Sequence, residues 1–209
     1  HRDLHSFPTR RSSDLYCPNA DQDGEKEWGA YLIYSDDNGE TWEIGHIFPQ
    51  IVNECMVVEL DNGTLMTILR INRGTEYTYK LVSFSNDEGN TSSTPTENFD
   101  LVTPICQSSI IRLSSNQTST GDGKSRLLYS HANNPTQRMN FTLRVSYDEG
   151  QTWATSRVVY PGPTAYSDLA VLSDYTICGL VERGAVRYQE HITFFRTDLG
   201  WVSSGKDTL

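Results

Sequence analysis

An eight-residue pattern recurs in this chain and restricts it to a repeat architecture. Residues 35–42 and 146–153 both read Ser-x-Asp-x-Gly-x-Thr-Trp, and residues 85–91 keep every fixed position except the tryptophan. A pattern with five fixed positions in eight residues is not expected to recur by chance. We therefore interpret the chain as a series of similar structural units, each of which carries one copy of the octapeptide.

Short β-forming runs separated by turn residues fill the space between these copies, and the 3.6-residue periodicity of helices is not found. The predicted strands are 29–34, 55–60, 64–69, 79–85, 108–113, 126–130, 141–147, 169–172, 176–182 and 191–196. The octapeptides begin at residues 35, 85 and 146, so they lie 50 and 61 residues apart. Three strands, this turn and a fourth strand make one propeller blade, which predicts an all-β fold of about three and a half four-stranded blades.

The octapeptide itself suits a structural role. Aspartate accepts hydrogen bonds from nearby backbone amides, glycine tolerates positive φ, and tryptophan can pack between neighbouring blades. The alternative is that Asp37, Asp87 and Asp148 bind calcium or act in catalysis. Because one turn recurs in successive blades, we interpret these three aspartates as structural.

Composition narrows the range of partners. The 209 residues include 27 acidic and 17 basic side chains, which give a formal net charge of −10. This charge disfavours nucleic acid and anionic membrane surfaces, and an anionic small ligand would need a local cluster of arginines. No apolar run approaches the roughly 20 residues of a membrane span. The four cysteines lack Cys-x-x-Cys spacing, so neither a metal site nor another cofactor is predicted.

The first 15 residues differ in character from the rest of the chain. Residues 1–15, HRDLHSFPTRRSSDL, are basic, rich in serine and without strand-like alternation. We interpret them as non-native sequence of the kind that adapters or vectors encode, and residues 16–209 as the propeller fragment.

Asn-x-Ser/Thr sequons favour an extracellular or lysosomal protein, and they occur at Asn62, Asn90, Asn116 and Asn140.

The strand order predicts which residues meet at one end of the blades. In an antiparallel meander, the start of strand one, the end of strand two and the start of strand three share an edge. The octapeptide turns lie at the opposite edge. Polar residues from three successive blades should therefore converge, namely Asn53, Glu54, Arg70, Gln107, Arg138, Tyr166 and Glu182.

These positions fall in short motifs that resemble those of exo-α-sialidases in type and order. The motifs are Asn53-Glu54-Cys55, Thr64-Leu65-Met66 leading to Arg70, Cys106-Gln107-Ser108-Ser109, Arg138, Ala165-Tyr166-Ser167-Asp168-Leu169 and Leu180-Val181-Glu182. With the octapeptides, which this family calls Asp boxes, the resemblance covers nearly everything after residue 15. It implies a six-bladed propeller that lacks its N-terminal blades here. It also implies a hydrolase that removes terminal sialic acids from glycoproteins, glycolipids and oligosaccharides.

The resemblance also implies how sialic acid is held. The carboxylate of this sugar suits guanidinium groups, which form paired and directional hydrogen bonds. Arg70 and Arg138 match two members of the family's arginine triad. Arg73 competes with Arg70, but Arg70 directly follows an apolar strand, as in the family pattern. A merely solvated loop arginine is the alternative for Arg138.

Tyr166 and Glu54 match the family's nucleophile and its base. Sialidases are exceptions among glycosidases in using a tyrosine, and a neutral phenol avoids repulsion by the substrate's carboxylate. A phenol ionises near pH 10 and needs a base beside it, which the resemblance identifies as Glu54. Glu182 is expected to hold an arginine of the triad in place. An exposed strand-end carboxylate is the alternative for Glu54, and a packing role is the alternative for Tyr166.

One part of the family pattern is missing. The aspartate that acts as acid and base and the first arginine of the triad lie near the N-terminus in this family, and nothing in residues 1–28 matches their context. Asp3, Asp14, Asp21 and Asp23 are therefore not assigned to that role. Without a proton donor the leaving group departs slowly, so this chain alone is predicted to be inactive or nearly so.

Three other interpretations of the chain remain open. A trans-sialidase would use the same residues, with a sugar acceptor in place of water. A non-catalytic Asp-box propeller that binds glycans or proteins would keep the octapeptides but would not need Glu54, Tyr166 and two arginines together. A structural fragment could be completed by blades on another chain, because an open half-propeller exposes sheet edges.

Overall fold

The computed structural model describes residues 10–20, 26–49, 51–71, 78–118 and 121–209. Antiparallel strands make up almost all of its regular structure. They are β1 Arg10–Ala20, β2 Lys26–Tyr34, β3 Glu43–Ile47, β4 Val52–Glu59, β5 Leu65–Ile71, β6 Tyr79–Ser85, β7 Thr96–Val102, β8 Ser109–Ser114, β9 Arg126–Ala132, β10 Met139–Ser146, β11 Thr155–Val171, β12 Ile177–Arg183 and β13 His191–Thr197. A short helix, α1 Leu199–Val202, follows the last strand.

The strands form three sheets in sequence order, β1–β3, β4–β7 and β8–β13. The six-stranded sheet contains two blades that share the long strand β11. Residues 155–163 of this strand pair with β10, whereas residues 164–171 pair with β12. Groups of three, four, four and three strands result, which confirms the predicted all-β propeller with about three and a half blades.

All ten predicted strands are present, although the strand predicted at 169–172 is only the end of β11. The sequence predicts no strand before residue 29, whereas the structure has β1, part of which lies in the segment interpreted as non-native sequence. Its backbone pairs with β2 from Arg10 onward. The interpretation of residues 1–15 as non-native sequence stays a prediction. The segment after β13 forms α1, where the Asp198 carboxylate accepts a hydrogen bond from the Trp201 amide at 2.7 Å.

Apolar side chains pack between neighbouring sheets, as in stacked propeller blades. Trp153, at the end of the third octapeptide, is 1% exposed and packs in a cluster with Met66 and Ile68 of β5 and Leu127 of β9. This confirms that an octapeptide tryptophan can lie between two blades. Trp42, at the end of the first octapeptide, is 43% exposed. Among the described residues no sheet precedes β1–β3, so the corresponding packing surface is not present there.

The three octapeptides fold into the same turn. The Asp37 carboxylate accepts hydrogen bonds from the Thr41 amide at 2.8 Å and from the Thr41 hydroxyl at 2.6 Å. Asp87 and Asp148 make the same two contacts at 2.9 and 2.6 Å with the threonines four residues later. The threonine hydroxyl and amide lower the pKa of both Asp37 and Asp87 to about 2. These carboxylates therefore bond within their own turns.

Strand register places these turns away from the polar edge predicted from the sequence. In the β4–β5 pair, Asn53 lies opposite Arg70 at one end and Glu59 lies opposite Leu65 at the other. Leu65 in turn lies opposite Ser85, the first residue of the second octapeptide. The Asp-box turns are thus at the far end of the blades from Arg70.

In the described part of the chain, no helix has the length and hydropathy of a membrane-spanning segment.

Candidate active site

A tyrosine, a glutamate and an arginine from two blades are bonded to one another at the predicted edge. The Tyr166 hydroxyl donates a hydrogen bond to one carboxylate oxygen of Glu54. The Arg70 guanidinium donates from Nη1 to the other carboxylate oxygen of Glu54 and, at 3.1 Å, to the Tyr166 hydroxyl oxygen. The side chains of Arg70 and Glu54 are each 14% exposed. The three groups form a closed and largely buried cluster, which we call the site triad.

Irregular strand pairing aims two members of the site triad. Between Asn53 and Cys55 the register of β4 against β5 shifts, so Glu54 lies at a bulge. The register of β11 against β12 also shifts, between Thr164 and Ser167, and Tyr166 lies within that interval. Bulges redirect side chains and are frequent beside active sites. Here they turn a carboxylate and a phenol from separate sheets toward each other.

The environment of Tyr166 keeps its hydroxyl protonated. Partial burial, together with the hydrogen bond to Glu54 and the negative charge of that residue, raises the pKa of Tyr166 to about 12, and the charges of Arg70 and Arg138 only partly oppose this. Burial works against the charge of Arg70, but the hydrogen bond and charge of Glu54 raise the pKa of Arg70 above its ordinary value. The resting site therefore holds a neutral phenol whose proton already points at a carboxylate.

Arg138 lies beside the site triad, just before β10. Its guanidinium carbon is 5.6 Å from the centre of the Tyr166 ring and 5.0 Å from the centre of the Tyr188 ring. Its Nη2 donates a hydrogen bond to the Ile105 carbonyl oxygen at 3.2 Å. The two rings and this carbonyl hold the guanidinium in place. A second cation thus stands next to the phenol at the same edge.

Glu182, on β12, contacts the backbone of Tyr166. Its carboxylate accepts a hydrogen bond from the Tyr166 amide at 3.2 Å. Among the ion pairs of the described residues, none joins Glu182 to Arg70 or Arg138. The predicted role of Glu182, to hold a member of the family's arginine triad in place, therefore stays a prediction. The observed contact instead supports the backbone at the bulge that aims the phenol.

Several residues named from the sequence lie outside the described part of the chain. Arg73, the rival of Arg70, is one of them, and so are Asp3, Asp21 and Asp23. Asp14 lies in β1, but its side chain is not described. The described residues contain no group of three or more His, Cys, Asp or Glu side chains placed to hold a metal ion.

Two contributors to this edge were missed in the sequence. Lys80, on β6, is 1% exposed and donates a hydrogen bond to the carbonyl oxygen of Cys106. Tyr188, in the loop before β13, stacks on Arg138. A lysine in the otherwise apolar start of β6 was a signal for the first. Nothing in the loop sequence distinguished Tyr188 from the other tyrosines.

Comparison with known proteins finds one matching family model and several similar sialidases. A family model described as a BNR repeat-like domain matches residues 5–181. The sialidase of Micromonospora viridifaciens is 36% identical over 160 residues, which are 76% of this chain and 24% of that protein. Sialidase-3 of Mus musculus is 29% identical over 199 residues, with 78% of this chain and 48% of that protein covered. The chain thus spans between a quarter and a half of the length of these curated relatives.

Solved structures with the same fold include several sialidases. The Hadza microbial sialidase Hz136 matches 84% of this chain and 33% of its own length, with a TM-score of 0.69 and 29% identity. The intramolecular trans-sialidase from Ruminococcus gnavus matches 93% of this chain and 41% of its own length, with a TM-score of 0.70. At 23% identity, the second likeness shows a shared fold only.

Proposed function

We propose that the chain forms part of a longer exo-α-sialidase, which cleaves terminal sialic acids from glycans. The chain belongs to the BNR repeat-like domain family, and the curated relatives described above are sialidases. The site triad of Tyr166, Glu54 and Arg70 is the observation that carries this proposal. Its three groups supply a nucleophile, a base for that nucleophile and a cation at one point.

The first chemical step uses the hydrogen bond between Tyr166 and Glu54. The phenol oxygen attacks the anomeric carbon of the sialoside as the bond from that carbon to the leaving oxygen breaks. The phenol proton passes to the Glu54 carboxylate, which already accepts it in a hydrogen bond. An acid outside the described residues gives a proton to the leaving oxygen. The products of this step are a glycosyl–tyrosine and a free alcohol.

The second step reverses the first with water in place of the alcohol. Water attacks the anomeric carbon and loses a proton to the conjugate base of the acid. The tyrosine oxygen leaves and takes back the proton held by Glu54. Each step inverts the anomeric carbon, so the released sialic acid keeps the configuration of the substrate.

A neutral nucleophile suits this substrate because the anomeric carbon carries a carboxylate. A glutamate nucleophile would repel that carboxylate, whereas the raised pKa of Tyr166, about 12, keeps the phenol uncharged until its proton moves. Arg70 at the phenol hydroxyl and Arg138 beside the ring provide the positive charge that the carboxylate would bind. This local charge offsets the formal net charge of −10 on the chain.

The chain alone is proposed to be inactive or nearly so. The acid of the first step is not assigned to any residue here, and an unassisted alkoxide leaves slowly. The runner-up function, a non-catalytic Asp-box propeller that binds glycans or proteins, accounts less well for the site triad. A phenol, a carboxylate and a guanidinium lose hydration when they are brought together, and simple glycan binding does not require that cost.

Hydrolysis of a fluorogenic sialoside by the full-length protein tests this function. The wild type, Tyr166→Phe and Tyr175→Phe are compared. Tyr175 is the control because it lies in the turn before β12, at the opposite end of the blades. We expect activity in the wild type and in Tyr175→Phe, with a large loss in Tyr166→Phe. A wild type without sialoside hydrolysis, or a fully active Tyr166→Phe variant, would refute the proposed function.

A further inference from the structure

Among the described residues, a buried cation that forms no ion pair lies behind the candidate site. Lys80 is 1% exposed, and its ammonium donates a hydrogen bond to the Cys106 carbonyl oxygen. The ion pairs found among the described residues do not include Lys80. An ammonium taken out of water without a paired charge is costly, and methionine would fill similar space without that cost. The contacts of the Lys80 ammonium therefore indicate what this buried charge contributes to the structure.

The carbonyl that Lys80 holds belongs to a segment with a strained backbone, residues 103–107. Ile105 in this segment has a φ of 55°. Left-handed backbone is unfavourable for a β-branched residue and persists only where the surroundings enforce it. The Thr103 side chain accepts a hydrogen bond from the Cys106 amide at 3.3 Å, and the Lys80 ammonium bonds the carbonyl of the same residue. Lys80 is thus one of the contacts that enforce this conformation.

The 103–107 segment contacts the active-site residues on its other side. The Ile105 carbonyl oxygen accepts the hydrogen bond from Arg138 at 3.2 Å. The Gln107 side chain makes two hydrogen bonds to the backbone of Ser167, one with the amide and one with the carbonyl, each at 3.0 Å. Ser167 directly follows Tyr166. The same segment therefore fixes the arginine and the chain that carries the phenol.

We propose that Lys80 is a positioning residue of the candidate active site: through the Cys106 carbonyl it holds the 103–107 segment in the form that places Arg138 and Tyr166. This inference rests on the proposed function for its catalytic consequence. Lys80 does not touch the substrate in this account. It acts through a backbone segment whose two outer contacts end at the residues that do.

The surroundings of Lys80 make its contribution depend on pH. Burial lowers the pKa of Lys80 to about 8. The charged or titratable groups that face it are Cys106, Arg70, Glu54, Arg138 and the buried His131, whose pKa is held far below its ordinary value by burial. Burial raises the pKa of the Cys106 thiol, so this neighbour stays neutral where Lys80 titrates. Below pH 8 the ammonium is present, and above pH 8 it is lost. Positioning of Arg138 and Tyr166 should weaken over the same interval.

Steady-state kinetics of the full-length protein test the inference with matched lysine variants. Lys80→Met removes the ammonium at similar volume, Lys80→Gln keeps a neutral donor, and Lys206→Met makes the same charge change at an exposed position. Because small displacements of catalytic groups cost up to about 100-fold, we expect kcat/KM to fall roughly 10- to 100-fold in Lys80→Met. The Lys206→Met variant should match the wild type. In the wild type kcat/KM should decline as pH rises through about 8, and Lys80→Met should lack that decline.

A second readout keeps the inference testable whatever the activity. Crystal structures of wild type and Lys80→Met are compared at Ile105 and Arg138, with Lys80→Gln used if Lys80→Met does not fold. A changed φ at Ile105 and a displaced Arg138 guanidinium would support the inference. An unchanged 103–107 segment, or a Lys80→Met variant with the kcat/KM and pH profile of the wild type, would overturn it. A wild type without sialoside hydrolysis would refute the proposed function, and the structural comparison would then decide the role of Lys80.

Discussion

Tyr166 donates its hydroxyl hydrogen to the carboxylate of Glu54, a residue 112 positions earlier in the chain. The two side chains lie on strands of different sheets, β11 and β4, and each lies at a shift in strand register. Neither bulge brings the groups together unless the blades also stack in the propeller arrangement. The hydrogen bond is thus a product of the whole fold, and the proposed chemistry depends on it.

Replacing Glu54 by glutamine should remove the base while keeping the shape of the side chain. Loss of a general base costs roughly 100- to 10,000-fold in rate, and we expect kcat of the full-length protein on a sialoside to fall within that range. Because Glu54 raises the pKa of Tyr166, the variant should also ionise Tyr166 at a lower pH. Titration of the ¹³C-labelled tyrosine ring checks this shift, and Glu97→Gln, in β7, serves as the control. A variant with wild-type kcat would contradict the role of Glu54.

Replacing Arg70 or Arg138 by lysine should weaken substrate binding. Each variant keeps a positive charge but loses the planar fork that matches a carboxylate. A hydrogen bond to a charged group contributes about 1.5–3 kcal/mol, so KM should rise roughly 10- to 150-fold. Arg187→Lys, in the exposed loop before β13, is the matched control and should leave KM unchanged. Unaltered KM in both Arg70→Lys and Arg138→Lys would place the substrate carboxylate elsewhere.

Asp87→Asn tests the structural role of the octapeptides. The Thr91 hydroxyl and amide lower the pKa of Asp87 to about 2, below its ordinary value of 3.8. The native state therefore gains stability from this carboxylate above pH 4 and loses it as pH falls toward 2. We expect Asp87→Asn to lower the melting temperature at pH 7, with a smaller difference at pH 3. An unchanged melting temperature at pH 7 would argue against a structural role, and a loss of activity in the same variant would indicate a functional role instead.

The two octapeptide tryptophans should differ in their effect on stability. Trp153 is 1% exposed between two blades, whereas Trp42 is 43% exposed. Truncation of a buried tryptophan to alanine costs about 3–5 kcal/mol, and we expect this loss for Trp153→Ala in urea unfolding. Trp42→Ala should cost much less in this chain. Equal losses for the two variants would contradict the described packing of the blades.

Much of the fold was predictable because its signals are local and repeated. The octapeptides and the alternation of the strands predicted the blades, and antiparallel order alone predicted that Glu54, Arg70 and Tyr166 share an edge. The pairing of Tyr166 with Glu54 was implied by the family resemblance. The contacts of Arg70 with both groups were not predictable, because a bulge shifts register without a distinctive sequence. The place of Lys80 depends on the distant Cys106 carbonyl, and the contact of Glu182 with the Tyr166 amide depends on the same bulge.

Covalent trapping tests the central claim most directly. In a 2,3-difluorinated sialic acid the leaving group is fluoride, which needs no proton, and the second fluorine slows breakdown of the glycosyl–enzyme by disfavouring the oxocarbenium-like transition state. The full-length protein is treated with this reagent, digested and analysed by mass spectrometry. We predict one added 3-fluorosialyl group on the peptide that contains Tyr166, present in Tyr175→Phe and absent in Tyr166→Phe. A sialyl group on Glu54 or another residue, or no adduct on a protein that hydrolyses sialosides, would contradict the account.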